Sequence, residues 1–365
     1  MIALPAFLRG ETVADAMARP RNAFTGLRLV LAVMVVVSHA FSVATGGLLD
    51  EPLTRATGFT LGEHAVNGFF AVSGFLVTMS LDRRGARDYV VARTLRILPG
   101  LAAATLLVTF GLGTAMTALP AGTYVSEPGT WRFVLNTLTT FKSNASLPGV
   151  FAQNPYPSPL GTVWTLKYEV LCYLGVLAAG FLGLLRRPRA VAGLALVLAL
   201  ALLALDATRA DLPKGLETAL RLPLIFAIGA AFYLNRSQVR LSLPLAAGLI
   251  ALCALLHGTP LYRTGLFAAE AYGGVALGFA PALARPLLDP KADLSYGVYL
   301  YGWPIQQSLH ALYPGTSGAA LLAPSLVLAL MVAALSWYAV ERPALRLKAR
   351  TLGRRTLRTI EPAGP

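Results

Sequence analysis

One highly apolar stretch of this sequence carries two side chains able to do chemistry. GLRLVLAVMVVVSHAF, residues 26–41, holds Arg28 near one end and His39 towards the other. Ionisable groups inside such a segment are costly and are usually functional. The two are eleven residues apart, which on an α-helix is about three full turns and puts both on one face, about 16 Å apart along the axis. An imidazole, with an ordinary pKa of about 6.5, can take a proton from a hydroxyl near neutral pH. A guanidinium can hold a phosphate through paired hydrogen bonds. Taken singly, Arg28 also reads as a snorkelling anchor, and His39 as a hydrogen-bonded packing residue between helices.

Other residues add to this pair. Glu169, in WTLKYEV, is a carboxylate in an apolar segment and needs a partner. It could orient His39 or bind a hydroxylated substrate. Lys167, two residues earlier, falls on a different helix face. Arg83, Arg84, Arg87, Arg93 and Arg96 are close in sequence, with Arg93 and Arg96 three residues apart and so on one side of a helix. Part of this charge is topological. Ser73, in SGF, would need a base within reach to act as a nucleophile. None is evident, and Gly74 beside it suits close helix packing. His64, His257 and His310 fall at loop or helix-end positions and read as ordinary residues there. Cys172 and Cys253 sit in apolar runs without a CxxC or Cys/His neighbour, so neither a disulfide framework nor a metal site is expected.

The elements that must position these groups are membrane helices. Of 365 residues, 56% are hydrophobic and 13% charged, against about 25% charged in soluble domains. The net charge of +14 could suggest nucleic acid, but the positive residues sit in short loops between apolar runs. No basic face interleaved with aromatics is present. Ten segments are long and apolar enough to predict spanning helices, at 25–44, 65–82, 100–119, 162–184, 188–205, 218–235, 241–257, 262–283, 293–313 and 318–340. Ahead of the third, RDYVVARTLRILP predicts an interfacial helix that Pro99 breaks.

Alternate loops are rich in arginine: one set holds Arg9, Arg19, Arg21, the 83–96 group, Arg186, Arg187, Arg189, Arg236, Arg240, Arg285, Lys291 and the tail from Arg342 to Arg358. By the positive-inside rule these loops and both termini are cytoplasmic. Residues 1–20 lack the long apolar core of a cleavable signal peptide. The expected organisation is a cytoplasmic segment over 1–21, a membrane domain over 22–347 and a basic cytoplasmic tail over 348–365 lying on anionic lipid. The stretch 120–161, with YVSEPGTW and QNPYPSPLG, reads as a long outer loop able to cover a site.

Several motifs follow in order along these segments: Arg28-(x10)-His39, NGFFAVSGFLVTMSL at 67–81, ARTLRILPG at 92–100, PLGTVWTLKYEVLCYL at 159–174, DLSYGVYLYGWPIQQ at 293–307 and SWYAVERPALRL at 336–347. The ordered set resembles the acyltransferase 3 family of integral membrane O-acyltransferases, in its form without a fused SGNH-type domain. The resemblance implies an all-α multi-pass protein of the bacterial inner (plasma) membrane. It implies transfer of an acyl group, usually acetyl, from cytoplasmic acyl-coenzyme A to a hydroxyl of an outward-facing carbohydrate such as a surface polysaccharide or lipopolysaccharide. Residue by residue, it makes His39 and Glu169 the catalytic candidates, and Arg28, Arg93 and Arg96 the donor-binding candidates in preference to Arg83, Arg84 and Arg87. Trp164, Ser295 and Tyr296 become the substrate-side candidates. Acyl-CoA, the carbohydrate acceptor, the lipid bilayer and proteins of polysaccharide biosynthesis are the implied partners, with no metal and no nucleic acid. The chain departs from the family in the ninth segment, where Tyr299-Leu300-Tyr301-Gly302-Trp303-Pro304 lacks the histidine many members carry. The rival reading is a transporter of a small polar or anionic substrate, which would predict related halves; no internal repeat is seen.

Overall fold

The computed structural model describes residues 10–208, 214–286 and 288–351. Arg9 and the tail beyond Thr351, on which part of the charge argument rests, lie outside them.

All regular secondary structure among the described residues is helical. In chain order the helices are α1 (Val13–Ala18), α2 (Phe24–Thr45), α3 (Pro52–Thr57), α4 (Leu61–Arg84), α5 (Ala86–Leu106), α6 (Gly113–Met116), α7 (Ala121–Ser126), α8 (Pro128–Thr140) and α9 (Trp164–Phe181). They continue with α10 (Pro188–Ala207), α11 (Lys214–Leu234), α12 (Leu243–Leu255), α13 (Leu261–Gly278), α14 (Ser295–Leu312), α15 (Gly318–Ser336) and α16 (Arg342–Thr351). Each of the ten segments expected from the sequence contains a helix, and six helical stretches are long and apolar enough to cross a membrane by length and composition. Leucines of α9, α10, α12 and α15 point outward, among them Leu171, Leu200, Leu255 and Leu335. An apolar exterior of this kind is suited to lipid. The chain is an all-α membrane protein.

Two local expectations are corrected. Pro99 does not break its helix: α5 runs through it and continues by a π-helical turn, Leu107–Leu112, into α6, a stretch of 31 residues from Ala86 to Met116. A proline removes one ladder hydrogen bond and crowds the preceding turn, and here Ile97, Gly100 and Leu101 are buried and pack the helix on both sides of it. The stretch 120–161 is not all loop, because it contains α7 and α8. Pro128 sits in the first turn of α8, where its missing N–H is harmless. Thr130, Phe133 and Thr137 form the buried face of that helix.

α4 is the centre of the bundle, packed against α2, α5, α9, α11 and α13. It is the most enclosed of the six candidate spans, with 67% of its apolar window buried, against 17% for the peripheral α10. Close approach of α4 and α11 depends on two glycines. A Cβ on Gly74 would lie 2.0 Å from the Phe226 carbonyl oxygen, and one on Gly229 would lie 2.1 Å from that of Ala71. Gly74 is therefore the packing residue the sequence suggested.

Candidate functional site

The site is built along one stripe of α4. The helix is started by a capping box: Thr60 Oγ1 accepts from the Glu63 amide at 3.0 Å, and the Glu63 carboxylate accepts from the Thr60 amide at 2.9 Å. From Val66 through Phe69, Phe70, Ser73, Leu76, Val77 and Ser80 to Arg83 and Arg84, successive turns line one cavity of about 350 Å³. Eighteen residues separate Val66 from Arg84, so the stripe is about 27 Å long. Such a cavity is a narrow channel between helices. Its remaining walls are Arg28 of α2, Arg93, Arg96 and Ile97 of α5, Thr165, Leu166, Glu169 and Tyr173 of α9, and Ser295, Tyr296 and Tyr299 of α14.

One end is strongly cationic, since Arg28, Arg83, Arg84, Arg93 and Arg96 all line it. Two of these are fixed by a carboxylate the sequence reading passed over. Asp293 Oδ2 sits 2.8 Å from Arg28 Nη2 and 2.8 Å from Arg96 Nη2. Its other oxygen accepts the Ser295 hydroxyl at 2.6 Å. Arg28 retains a further donor: its Nε, like that of Arg93, is buried without a hydrogen-bond partner among the described residues. The guanidiniums of Arg93 and Arg96 lie over the rings of Tyr173 and Tyr296, each 5.6 Å from the centroid. Those rings are pinned in turn. Tyr296 donates to the Ile97 carbonyl at 2.9 Å, Tyr173 donates to Glu169, and the Tyr173 carbonyl accepts from Tyr89 at 2.8 Å. Gly100 lets Tyr296 in, since a Cβ there would be 2.7 Å from the ring.

The other end is narrowed by aromatic side chains. The Tyr299 hydroxyl donates to the Thr162 carbonyl at 2.7 Å and shares a 2.6 Å hydrogen bond with Thr165. Its ring meets Phe69 edge-on at 6.2 Å. One turn further along α14, Trp303 donates to the Ser158 carbonyl at 2.7 Å and presents its ring to His39, with centroids 5.0 Å apart at 90°. His39 Nδ1 is buried and has no hydrogen-bond partner among the described residues.

The structure thus brings together Arg28, Arg93, Arg96, Glu169, Ser295 and Tyr296 in one lining. His39 and Trp164 are not part of it. His39 stands against Trp303, one turn of α14 past Tyr299, and Trp164 packs against Tyr168 with centroids 6.1 Å apart. Glu169 is held by Tyr173 and not by His39, and Lys167 is turned over the Tyr168 ring at 4.8 Å. Ser73 lines the channel, with no base hydrogen-bonded to it among the described residues. Glu341 accepts from Ser336 at 3.1 Å, while Arg342 lies over Tyr338.

A second polar cluster also went unread. His64 bonds Glu270 of α13 through Nδ1 and Thr57 through Nε2 at 2.9 Å, and Asn67 donates to the second Glu270 oxygen at 2.7 Å. His64 is nine residues before Ser73, half a turn out of phase, so this cluster occupies the face of α4 opposite the channel. The signal was Glu270 itself, an acid in the middle of the apolar run GLFAAEAYGG, which needed a buried partner.

A helical membrane protein with a cation-mouthed channel buried between its helices is the class that fold and site define. Residues 21–340 match the family model Acyl_transf_3, described as an acyltransferase domain, and the chain belongs to that family. It is an acyltransferase. Among similar proteins is an "O-acetyl transferase" of Shigella phage Sf6, 28% identical over 335 residues, covering 88% of this chain and 95% of that protein. Another is "Nodulation protein 10" of Rhizobium leguminosarum bv. viciae, 29% identical over 377 residues, covering 92% and 96% of the two chains. No solved structure matches.

Proposed function

We propose that the chain is a membrane O-acyltransferase that takes an acyl group, acetyl in the first instance, from acyl-coenzyme A and passes it to a hydroxyl of a carbohydrate across the membrane. The observation that carries this reading is the channel: five arginines line one end of it, and apolar side chains of α4 line the rest. Coenzyme A has the matching shape, with phosphates at one end of a thin arm and the thioester at the other. Arg28, Arg93 and Arg96 would hold the phosphates, with the unpartnered Nε donors of Arg28 and Arg93 available to them. The arm then lies along the Val66–Arg84 stripe and brings the thioester towards Thr165 and Tyr299.

In the transfer, the acceptor oxygen attacks the thioester carbonyl. The carbon–sulfur bond breaks as the carbon–oxygen bond forms. The hydroxyl proton passes to His39, whose Nδ1 is otherwise unpartnered, and the imidazolium so formed returns it to the departing thiolate. Glu169 and Tyr173 form the polar patch on the channel wall nearest the arm. Ser295 holds Asp293, Tyr296 carries Arg96, and Trp164, in the first turn of α9, lies on the acceptor side. The ten helical segments cross the inner membrane, with the arginine loops, the channel mouth and both termini cytoplasmic and the acceptor outside. The relative named an O-acetyl transferase supports the choice of acetyl and of a hydroxyl acceptor.

The test uses membranes containing the full chain, supplied with acetyl-labelled CoA and cell-surface glycan. Label should appear on the glycan with wild-type protein and be lost with Arg28→Ala/Arg96→Ala. Movement of an unmodified solute without covalent transfer would instead establish a transporter.

A further inference from the structure

The narrow end of the channel is made by Phe69, Thr165 and Tyr299, towards which the thioester is brought but to which no bond-making role was given above. Three helices agree on where the channel stops. Val66 is the outermost lining residue of α4, Thr165 that of α9 and Tyr299 that of α14. Tyr299 is immobilised by two hydrogen bonds, at 2.6 and 2.7 Å, to Thr165 and the Thr162 carbonyl. Phe69 stands edge-on to it, half-buried. Behind Phe69 lie the buried apolar side chains of Ala32, Val36 and Val298. A ligand whose phosphates sit among the arginines would meet this wall with the opposite end, and the opposite end of an acyl-CoA is the acyl group.

We infer that Phe69 and Tyr299 are the residues that limit acyl chain length, admitting short acyl groups and rejecting longer ones. This rests on the acyl-CoA reading given above. The two rings act in different ways. Tyr299 is held through its hydroxyl to Thr162 and Thr165 and forms the fixed side of the constriction. Phe69 is held only by packing, and its ring fills space that would otherwise open onto Ala32, Val36 and Val298, a surface suited to a hydrocarbon tail. Rejection of a long chain is steric at Phe69, because overpacking a close-packed interior is unfavourable.

The experiment is a competition between acetyl-CoA and hexanoyl-CoA for transfer by the full-length protein in membranes, with Phe69→Ala, Phe69→Leu and Tyr299→Phe beside the wild type. Wild type should prefer acetyl. Phe69→Ala should move the hexanoyl-to-acetyl ratio at least tenfold towards hexanoyl, and Phe69→Leu, which keeps most of the volume and guards against misfolding, should move it less. Tyr299→Phe keeps the ring, so the ratio should change less than with Phe69→Ala. An unchanged ratio in both Phe69 variants, with transfer intact, would overturn the inference and leave the acyl-CoA reading standing. Failure of wild type to use either donor would overturn that reading and this inference with it.

Discussion

Arg96 of α5 and Asp293, two residues ahead of α14, form an ion pair of 2.8 Å, and the same carboxylate oxygen takes Arg28 of α2 at 2.8 Å. One acidic group thereby ties three helices together at the mouth of the channel and sets the spacing of two of its cations. Replacing Asp293 with alanine leaves two guanidiniums facing each other. A fully buried pair costs about 3–5 kcal/mol when one partner is removed. These side chains are 11–26% exposed, so about 2 kcal/mol is the expected loss after allowance for solvent screening. Thermal denaturation in detergent should show a fall of several degrees. KM for the acyl donor should rise about tenfold while kcat changes much less, the pattern of lost ground-state binding.

Ser73 and Gly74 are neighbours with opposite expected phenotypes. Ser73→Ala should leave transfer within about twofold, because no base is placed to activate that hydroxyl. Gly74→Val should destabilise the protein by about 1–3 kcal/mol or prevent its accumulation, because any Cβ there runs into the Phe226 backbone. Expression level, melting temperature and specific activity, measured on both variants, check this. Loss of all activity in a well-folded Ser73→Ala protein would point to an acyl-enzyme on that serine.

Much of this arrangement was legible in the sequence, and the reasons differ by residue. The helices were visible because each apolar run is 17–23 residues long, within the range a spanning helix needs. Arg28 and Glu169 were visible because charge is rare in such runs, and Arg93 and Arg96 because they fall in one of the ordered motifs. Asp293 was not, since an acid in a loop that also holds Arg285, Asp289 and Lys291 carries no mark of which cations it will meet. The continuity of α5 through Pro99 was hidden as well, because local propensity argues for a break and only packing against the neighbouring helices restores the ladder. The placement of His39 is the instructive case. Helical periodicity puts it on the face of Arg28, but its ring stands against Trp303 of α14, outside the channel that Arg28 lines.

His39→Ala should therefore separate chemistry from donor binding. Loss of a general base costs roughly 10²–10⁴-fold in rate. Because His39 lies outside the channel lining, the affinity for acyl-CoA should stay within about twofold of wild type, a difference of less than 0.5 kcal/mol. Equilibrium binding of labelled acetyl-CoA, set beside the transfer rate for the same preparation, reads both quantities. Parallel loss of binding and transfer would place His39 in the donor site instead.

The His64–Glu270 cluster predicts the reverse. It lies on the far face of α4, knitting that helix to α13 and to the end of α3. Glu270→Gln removes the charge that faces the imidazole and should lower stability by about 1–3 kcal/mol, seen as a drop in melting temperature. The donor KM should not move. A selective change in KM with unaltered melting temperature would mean that the two faces of α4 communicate.

The most direct test of the account is chemical protection inside the channel. With Cys172 and Cys253 replaced by alanine, Ser73→Cys places a single thiol on the channel wall, and its rate of alkylation by a small maleimide can be followed with and without saturating acetyl-CoA. The account predicts at least tenfold slower labelling when the donor is present, and no protection once Arg28 and Arg96 are also changed to alanine. Equal labelling rates with and without acetyl-CoA, in a protein that still transfers acyl groups, would contradict it.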